Sequence, residues 1–315
     1  MKLFLQKILR FSIIGFFPFL IIFYINCLWI KNHPFPELKK LNRALKSDNA
    51  VLMFGSSVNK WCAKSDTDKR SISEMLDSIF IKQQVTGISH EAYTSDIYLE
   101  FVRYVIKINK NPRIIIPINL RYFSPSWDLR PNWQFVKEKC ELNGYPEWVK
   151  VKPRKEQEKL KFENHPVFHN GKKVGTVKEI FESYEKEDAN TALANGFILH
   201  YLQPLIHQHR KLKALKEIVK IAEEQELEVL MYITPIDFSR AEDLKIEGFR
   251  EQVLENIKII NNELASSAVE ILDLSFSMES QYFGYDKIPN EHLNMFGKQL
   301  LAEKLNVQLK KEVRH

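Results

Sequence analysis

Apolar and polar positions follow one another along this chain in blocks that fit strands and helices in turn. Residues 50–54 are five apolar positions in a row, and they run straight into Gly55. A run this short, stopped by a chain breaker, is the pattern of a strand buried on both faces. Ile72, Met75, Leu76, Ile79 and Phe80 recur at helical spacing and predict a helix over 72–82. A short strand follows at 84–88. A helix over 95–108 carries Ile97, Phe101, Val105 and Ile108 on one face, and a strand rich in β-branched residues spans 113–118. The alternation resumes later with an amphipathic helix at 211–226, a strand at 228–233, a helix at 249–265, a strand at 269–274 and a last helix at 293–309. Five strands separated by helices predict an α/β chain: a three-layer α/β/α sandwich around a five-stranded parallel sheet.

Two stretches depart from this rhythm. Residues 124–195 are polar, aromatic and irregular, with Pro125, Trp127, Pro131 and Trp133 near the start. An Asn170-Gly171 pair between two short runs predicts a hairpin at 168–174. Placed at the edge of a sheet, such an insertion is expected to form an ordered lid. At the other end, residues 11–30 hold no charge and are long enough to cross a bilayer as a helix. Pro18 is tolerable in such a helix, and Trp29 fits an interfacial anchor. Lys2, Lys7 and Arg10 precede the span, which favours a cytoplasmic N-terminus and a body on the far side, although Lys31, Lys39 and Lys40 weaken that asymmetry. A cleaved signal peptide is the competing reading; bulky Tyr24, Ile25, Leu28 and Trp29 offer no small-residue cleavage site. The expected organisation is therefore a cytoplasmic tip and single-pass anchor at 1–31, a partly helical linker at 32–48, and one domain at 49–312 with its insertion.

Composition narrows the choices. The chain has 315 residues, 44% hydrophobic and 27% charged, which is a globular balance with ample core. Half of the formal charge of +6 comes from the three cations ahead of the apolar span, and no basic stripe is interleaved with aromatics, so nucleic acid is not an expected partner. Cys27, Cys62 and Cys140 form no Cys-x-x-Cys; Cys62 and Cys140 are expected to stay unpaired, with a bridge between them the alternative. His165 and His169 lie on either side of Pro166, and His207 and His209 have no carboxylate motif beside them, so no zinc site is expected. No Gly-x-Gly cluster cradles a phosphate, and no cofactor is expected.

In a parallel sheet the residues after each strand converge on one edge, where ligands bind. That edge collects Ser56 and Ser57 after strand one, Gly87, Ser89, His90 and Glu91 around the end of strand two, and Asn119 and Arg121 after strand three. Thr234 and Asp237 follow strand four, and Pro289-Asn290-Glu291-His292-Leu293-Asn294 precedes the last helix. A hydroxyl, an imidazole to take its proton and amide donors to face an oxyanion are the types acyl transfer needs. A plainer reading stays open beside this one: Gly55-Ser56-Ser57 as a turn and helix cap, His90 as a cap or local hydrogen-bonding group, and Asn119 and Arg121 as partners of loop backbone.

With Phe54-Gly55-Ser56-Ser57 after strand one, Asn119 after strand three, and His292-Leu293-Asn294 with Gly297 before the last helix, the chain resembles the SGNH (GDSL-like) hydrolase superfamily. Within it the chain resembles the membrane-anchored branch, which is similar to the alginate O-acetylation and teichoic-acid D-alanine transfer proteins. The resemblance spans roughly 51–309 and implies a flavodoxin-like sheet. It implies Ser57 as nucleophile and oxyanion donor, Asn119 as a further donor, and His292 as base. It also implies removal or transfer of a small acyl group, acetyl foremost, on a cell-envelope or exported glycan, with a membrane-bound O-acyltransferase as partner and the domain outside a bacterial membrane. Two positions depart from the family. Pro289 stands where an acid usually precedes the histidine, which leaves Asn290, Glu291 or Asp286 to orient the imidazole. The second-block donor falls to Gly87, or to His90 by alignment. Arg121, Trp127 and Trp133, with His90, are expected at a sugar-binding edge. Alternatives of other kinds are a catalytically impaired glycan-binding or scaffolding module, and a plain lipid or peptide esterase.

Overall fold

The computed structural model describes residues 17–29, 31–47, 49–128, 135–146, 163–186, 188–285, 288–289 and 291–312. Every residue of β1 (Val51–Gly55) is buried, as is every residue of β3 (Arg113–Ile118) and β6 (Val229–Ile233). With β2 (Val85–Ser89) and β7 (Val269–Asp273) they form one parallel sheet in the order β2-β1-β3-β6-β7. Skipping the two hairpin strands, that is the doubly wound 2-1-3-4-5 order of flavodoxin-like sheets.

Alternation along each strand divides the core in two. Leu52 and Phe54 of β1 join Ile114, Ile116 and Ile118 of β3 on one face. Against that face lie α1 (Pro36–Ala44), α4 (Ser95–Lys107), α9 (Arg210–Glu224) and α11 (Phe249–Glu263). Val51 and Met53 point the other way, with Ile115, Leu230 and Tyr232, onto α3 (Ile72–Ile79) and α12 (Met295–Glu312). Burial on both faces is why β1 reads as an unbroken apolar run, and β6 likewise. A short α2 (Ser57–Lys60) follows β1 directly.

The stretch expected to form a lid is largely helical where it is described. It holds α5 (Pro125–Asp128), α6 (Val136–Asn143), the hairpin β4 (Pro166–His169) and β5 (Lys172–Thr176), α7 (Val177–Lys186) and the start of α8 (Ala189–Tyr201). Asn170 and Gly171 have φ of 48° and 73°, the turn that an Asn-Gly pair favours between antiparallel strands. Val167, Val177, Ile180, Leu193 and Phe197 belong to the same apolar cluster as β1 and β3, so these elements are part of the core. The periodicity signal failed on α8 because its apolar residues face all sides: Leu193, Phe197, Ile198, Leu199 and Tyr201 are all buried. The remaining helix, α10 (Phe238–Asp243), is capped by the Asp237 carboxylate, which accepts from Arg240 N at 3.2 Å and from Ser280 Oγ at 2.5 Å.

At the N-terminus residues 17–29 are helical, with Phe17, Ile21, Ile22, Tyr24, Ile25 and Trp29 each more than half exposed. Residues 11–16 and 30 of the expected span lie outside the described residues. Among the described residues no helix is long and apolar enough to cross a membrane. Cys62 and Cys140 form no disulfide.

Candidate active site

The chain leaves β1 to build β2 on one side, then crosses to β3 on the other. This reversal opens a crevice at the carboxyl ends of β1 and β3, the place where open α/β sheets hold ligands. Ser57 follows β1 and Asn119 follows β3.

The two serines divide the two roles open to them. Ser56 is the N-cap of α2: it has extended backbone, and its hydroxyl accepts from Val58 N at 3.3 Å. Ser57 is thereby left at the first helical position, half-buried, with its side chain free of capping duty. His292 Nε2 lies 3.1 Å from Ser57 Oγ, across 235 residues of sequence. The base position is fixed by backbone. Gly284 N donates to His292 O at 2.9 Å, Asn294 N to Tyr282 O at 2.9 Å, and Leu293 bridges Phe283. Asn294 then caps α12, accepting from Phe296 N at 3.1 Å and Gly297 N at 3.0 Å. A Cβ on Gly297 would stand 2.4 Å from the Tyr282 carbonyl oxygen, so that close approach requires glycine. Each residue of the His-Leu-Asn and Gly pattern therefore has its own physical task in presenting the imidazole.

Burial, reinforced by the nearby Arg121 guanidinium, brings the His292 pKa from 6.5 down to about 4. The imidazole is thus neutral near pH 7 and able to accept the serine proton. The Trp61 ring lies 5.2 Å from the imidazole at 34°, and it also fills the space beside Gly284. The helix holding Ser57 is tied down through Asn59. Asn59 Nδ2 donates to Ser89 Oγ at 2.7 Å and Ser73 Oγ at 3.2 Å, and Oδ1 accepts from Ser73 N at 3.0 Å.

Asn119 is 3% exposed. Its Oδ1 accepts from Arg121 N at 3.0 Å, while its Nδ2 is buried with no hydrogen-bond partner. A buried donor without a partner is costly to leave unmade, and a developing oxyanion in the crevice would satisfy it. The Ser57 N–H, at the first position of α2, has no intrahelical acceptor either.

Other expected residues are placed differently. Gly87 lies inside β2 opposite Met53, not at its end, and a Cβ there would meet Ser73 Oγ at 2.1 Å, so it makes room for the Asn59 network. The exposed His90 has Nδ1 3.1 Å from its neighbour's carbonyl, Glu91 O, and packs on Tyr93 and Phe135, which is the local role. Glu291 is fully buried and does not orient His292. Its Oε1 accepts from Tyr201 Oη at 2.5 Å and its Oε2 lies 3.5 Å from Arg121 Nε. Burial and this carboxylate raise the Tyr201 pKa, which keeps the phenol a donor. Arg121 also donates from Nη1 to Pro289 O at 3.0 Å, so it clamps the histidine loop. Trp127 is 9% exposed, with Arg121 over its ring at 5.5 Å, Lys211 at 5.7 Å and Tyr122 at 4.8 Å. Neither Arg121 nor Trp127 therefore offers an open face to a sugar. Trp133, Asn290 and Asp286 lie outside the described residues.

Sequence reasoning missed Trp61, Asn59, Ser73 and Tyr201. Asn59 carried a weak signal, a buried-position amide two residues after the serine; the others act only through partners distant in sequence.

No family model matches this chain, and no curated protein matches it. Among solved structures it is similar to a lipase/acylhydrolase from Enterococcus faecalis, at 10% identity and a TM-score of 0.41, covering 83% of this chain and 95% of that one. A GDSL-like lipase from Bacteroides thetaiotaomicron matches at 8% identity and TM-score 0.42, covering 89% and 98%. A catalytic mutant of an acetylxylan esterase from Geobacillus stearothermophilus matches at 10% identity and TM-score 0.37, covering 80% and 90%. Superpositions this loose carry no argument about activity; the chemistry open to this chain follows from its own Ser57–His292 pair at the switch point of a doubly wound parallel sheet.

Proposed function

We propose that this chain is an SGNH-like serine ester hydrolase or O-acyltransferase, anchored in a bacterial membrane by its N-terminal segment. It would act outside the membrane on small acyl groups, acetyl foremost, carried by an envelope or exported glycan. The observation that supports this most directly is the 3.1 Å contact between Ser57 Oγ and His292 Nε2 at the switch point of the sheet.

In this reading His292 takes the Ser57 proton as Oγ attacks the acyl carbonyl. Negative charge gathers on the carbonyl oxygen, facing the Ser57 N–H and Asn119 Nδ2. The imidazolium returns its proton to the leaving alkoxide, and an acyl-serine remains. Water or a glycan hydroxyl then attacks that ester with His292 again as base, which yields hydrolysis or transfer. An O-acyltransferase of the membrane is the partner that would supply or receive the acyl group.

A second reading, a glycan-binding module without turnover, is favoured by one observation: Gly87 sits inside β2 and not after it, where the superfamily's second block places a donor. A serine-reactive fluorophosphonate separates the two. Covalent labelling of the full chain that is lost in Ser57→Ala and falls at least ~10³-fold in His292→Ala supports the enzyme. Absence of labelling in a folded wild type, with glycan binding retained, supports the module. Comparing turnover of an acetylated glycan with that of a short lipid ester then tests the substrate class.

A further inference from the structure

Behind the Ser57–His292 pair lies a second group of reactive side chains that the acyl chemistry does not use. Lys298, in the first turns of α12, is wholly buried, with 0% exposure. Its Nζ donates to Arg70 O at 2.8 Å and to Cys62 Sγ at 3.1 Å, and stands 4.0 Å from Asp66 Oδ2. Cys62 is half-buried and therefore reachable from solvent. Its thiol also approaches Lys69 O at 3.2 Å and Lys60 O at 3.5 Å. Asp66 holds the same two segments together, accepting from Ala63 N at 2.8 Å and Met295 N at 3.0 Å. Amine and thiol are thus aimed at one another by a framework that fixes both, one on the segment after α2 and one on the last helix.

We propose that Cys62 and Lys298 are a modification site: peroxide joins them through a sulfur–nitrogen bond, a sulfenamide crosslink that staples the segment behind Ser57 to α12. Hydrogen peroxide first converts the Cys62 thiol to a sulfenic acid, breaking the O–O bond and releasing water; sulfur loses two electrons and peroxide gains them. A neighbouring ammonium is one of the settings in which a cysteine reacts this way. The Lys298 ammonium then gives up a proton, and its nitrogen attacks sulfur. The S–N bond forms, the S–OH bond breaks, and the hydroxyl leaves as water with a proton from the nitrogen. In sum, thiol, ammonium and one peroxide yield the sulfenamide, two waters and a proton. The partner is chosen by geometry: Lys60, Lys64 and Lys69 are nearer in sequence, but Lys298 Nζ is the amine in contact with sulfur.

The full-length protein, treated with a small excess of hydrogen peroxide, is expected to lose the mass of two hydrogens. Proteolysis and tandem mass spectrometry should join the Cys62 peptide to the Lys298 peptide, and dithiothreitol should restore the starting mass. Cys62→Ser should show none of this. Because the bond closes a loop across 236 residues, the oxidised wild type should melt at a higher temperature than the reduced protein. A sulfinic or sulfonic acid at Cys62 with Lys298 unmodified, or a crosslink mapped to another lysine, would overturn the assignment. These readouts are masses and a melting temperature, so they stand or fall independently of the esterase reading.

Discussion

Asn119 uses the two ends of its amide for different purposes. The oxygen caps the turn after β3, and the nitrogen is buried with no hydrogen-bond partner. Asn119→Asp separates these purposes, because it keeps an acceptor for Arg121 N while replacing the donor. The expected result is a loss of roughly 10²–10³ in kcat on a short acyl ester with KM little changed. An unchanged kcat would remove Asn119 from the oxyanion site. His292 makes a second residue-scale prediction. In the unfolded chain its imidazole protonates near 6.5, and in the folded chain only near 4. Between these values the unfolded state binds more protons, so stability rises with pH there and is lost as pH falls through 4. The full difference is worth roughly 3 kcal/mol. Urea denaturation at pH 7 and near pH 4 should show a loss in wild type that is smaller in His292→Gln. The rising limb of kcat/KM should likewise sit near 4; a limb near 6.5 would contradict the burial of this ring.

Among elements, the loop before α12 is the most heavily constrained piece of the site. It is clamped by the buried Arg121–Glu291 pair, by Tyr201 from α8, and by the bridge to Phe283. Glu291→Gln would leave the Arg121 guanidinium buried without its counter-charge. Breaking such a pair is expected to cost about 3–5 kcal/mol in urea denaturation. A near-neutral result would mean that the guanidinium finds another anion. Glu291 also shows how the residue next to the base was legible as important and misread in role. Its position before His292 suggested an orienting acid, but successive residues on an extended segment point to opposite sides. A carboxylate one residue from the base is thus turned away from it, toward Arg121. Trp127 was misread for a related reason: an aromatic on a loop looks like a sugar platform until burial shows both faces taken.

For the molecule as a whole, the body and the N-terminal helix present opposite surfaces to solvent. The body buries its apolar residues in two layers on a parallel sheet, while residues 17–29 leave many large apolar side chains exposed. Burying those side chains in lipid would remove them from water. The full chain is therefore expected to float with phospholipid vesicles. A form lacking residues 1–31 should stay in the aqueous fraction and still react with a fluorophosphonate at Ser57. Vesicle binding by the truncated form, or none by the full chain, would overturn the anchor. A reporter fused after His315 that is active only in the cytoplasm would overturn the outward orientation.

The sequence by itself determined the sheet. Strand patterns with breakers at their ends placed all five strands to within a residue at each end; the signal is strongest for β1, β3 and β6, where every residue is buried. It also singled out Ser57, Asn119 and His292, since each directly follows a strand or precedes the last helix, and local order along the chain specifies such positions. Tertiary structure alone decided which serine caps and which is free, that Gly87 lies within its strand, that Glu291 belongs to Arg121, and that α8 is core. It alone brought Cys62 to Lys298. Those outcomes depend on what packs against a side chain from distant segments, and contacts across 235 residues leave no trace in local periodicity.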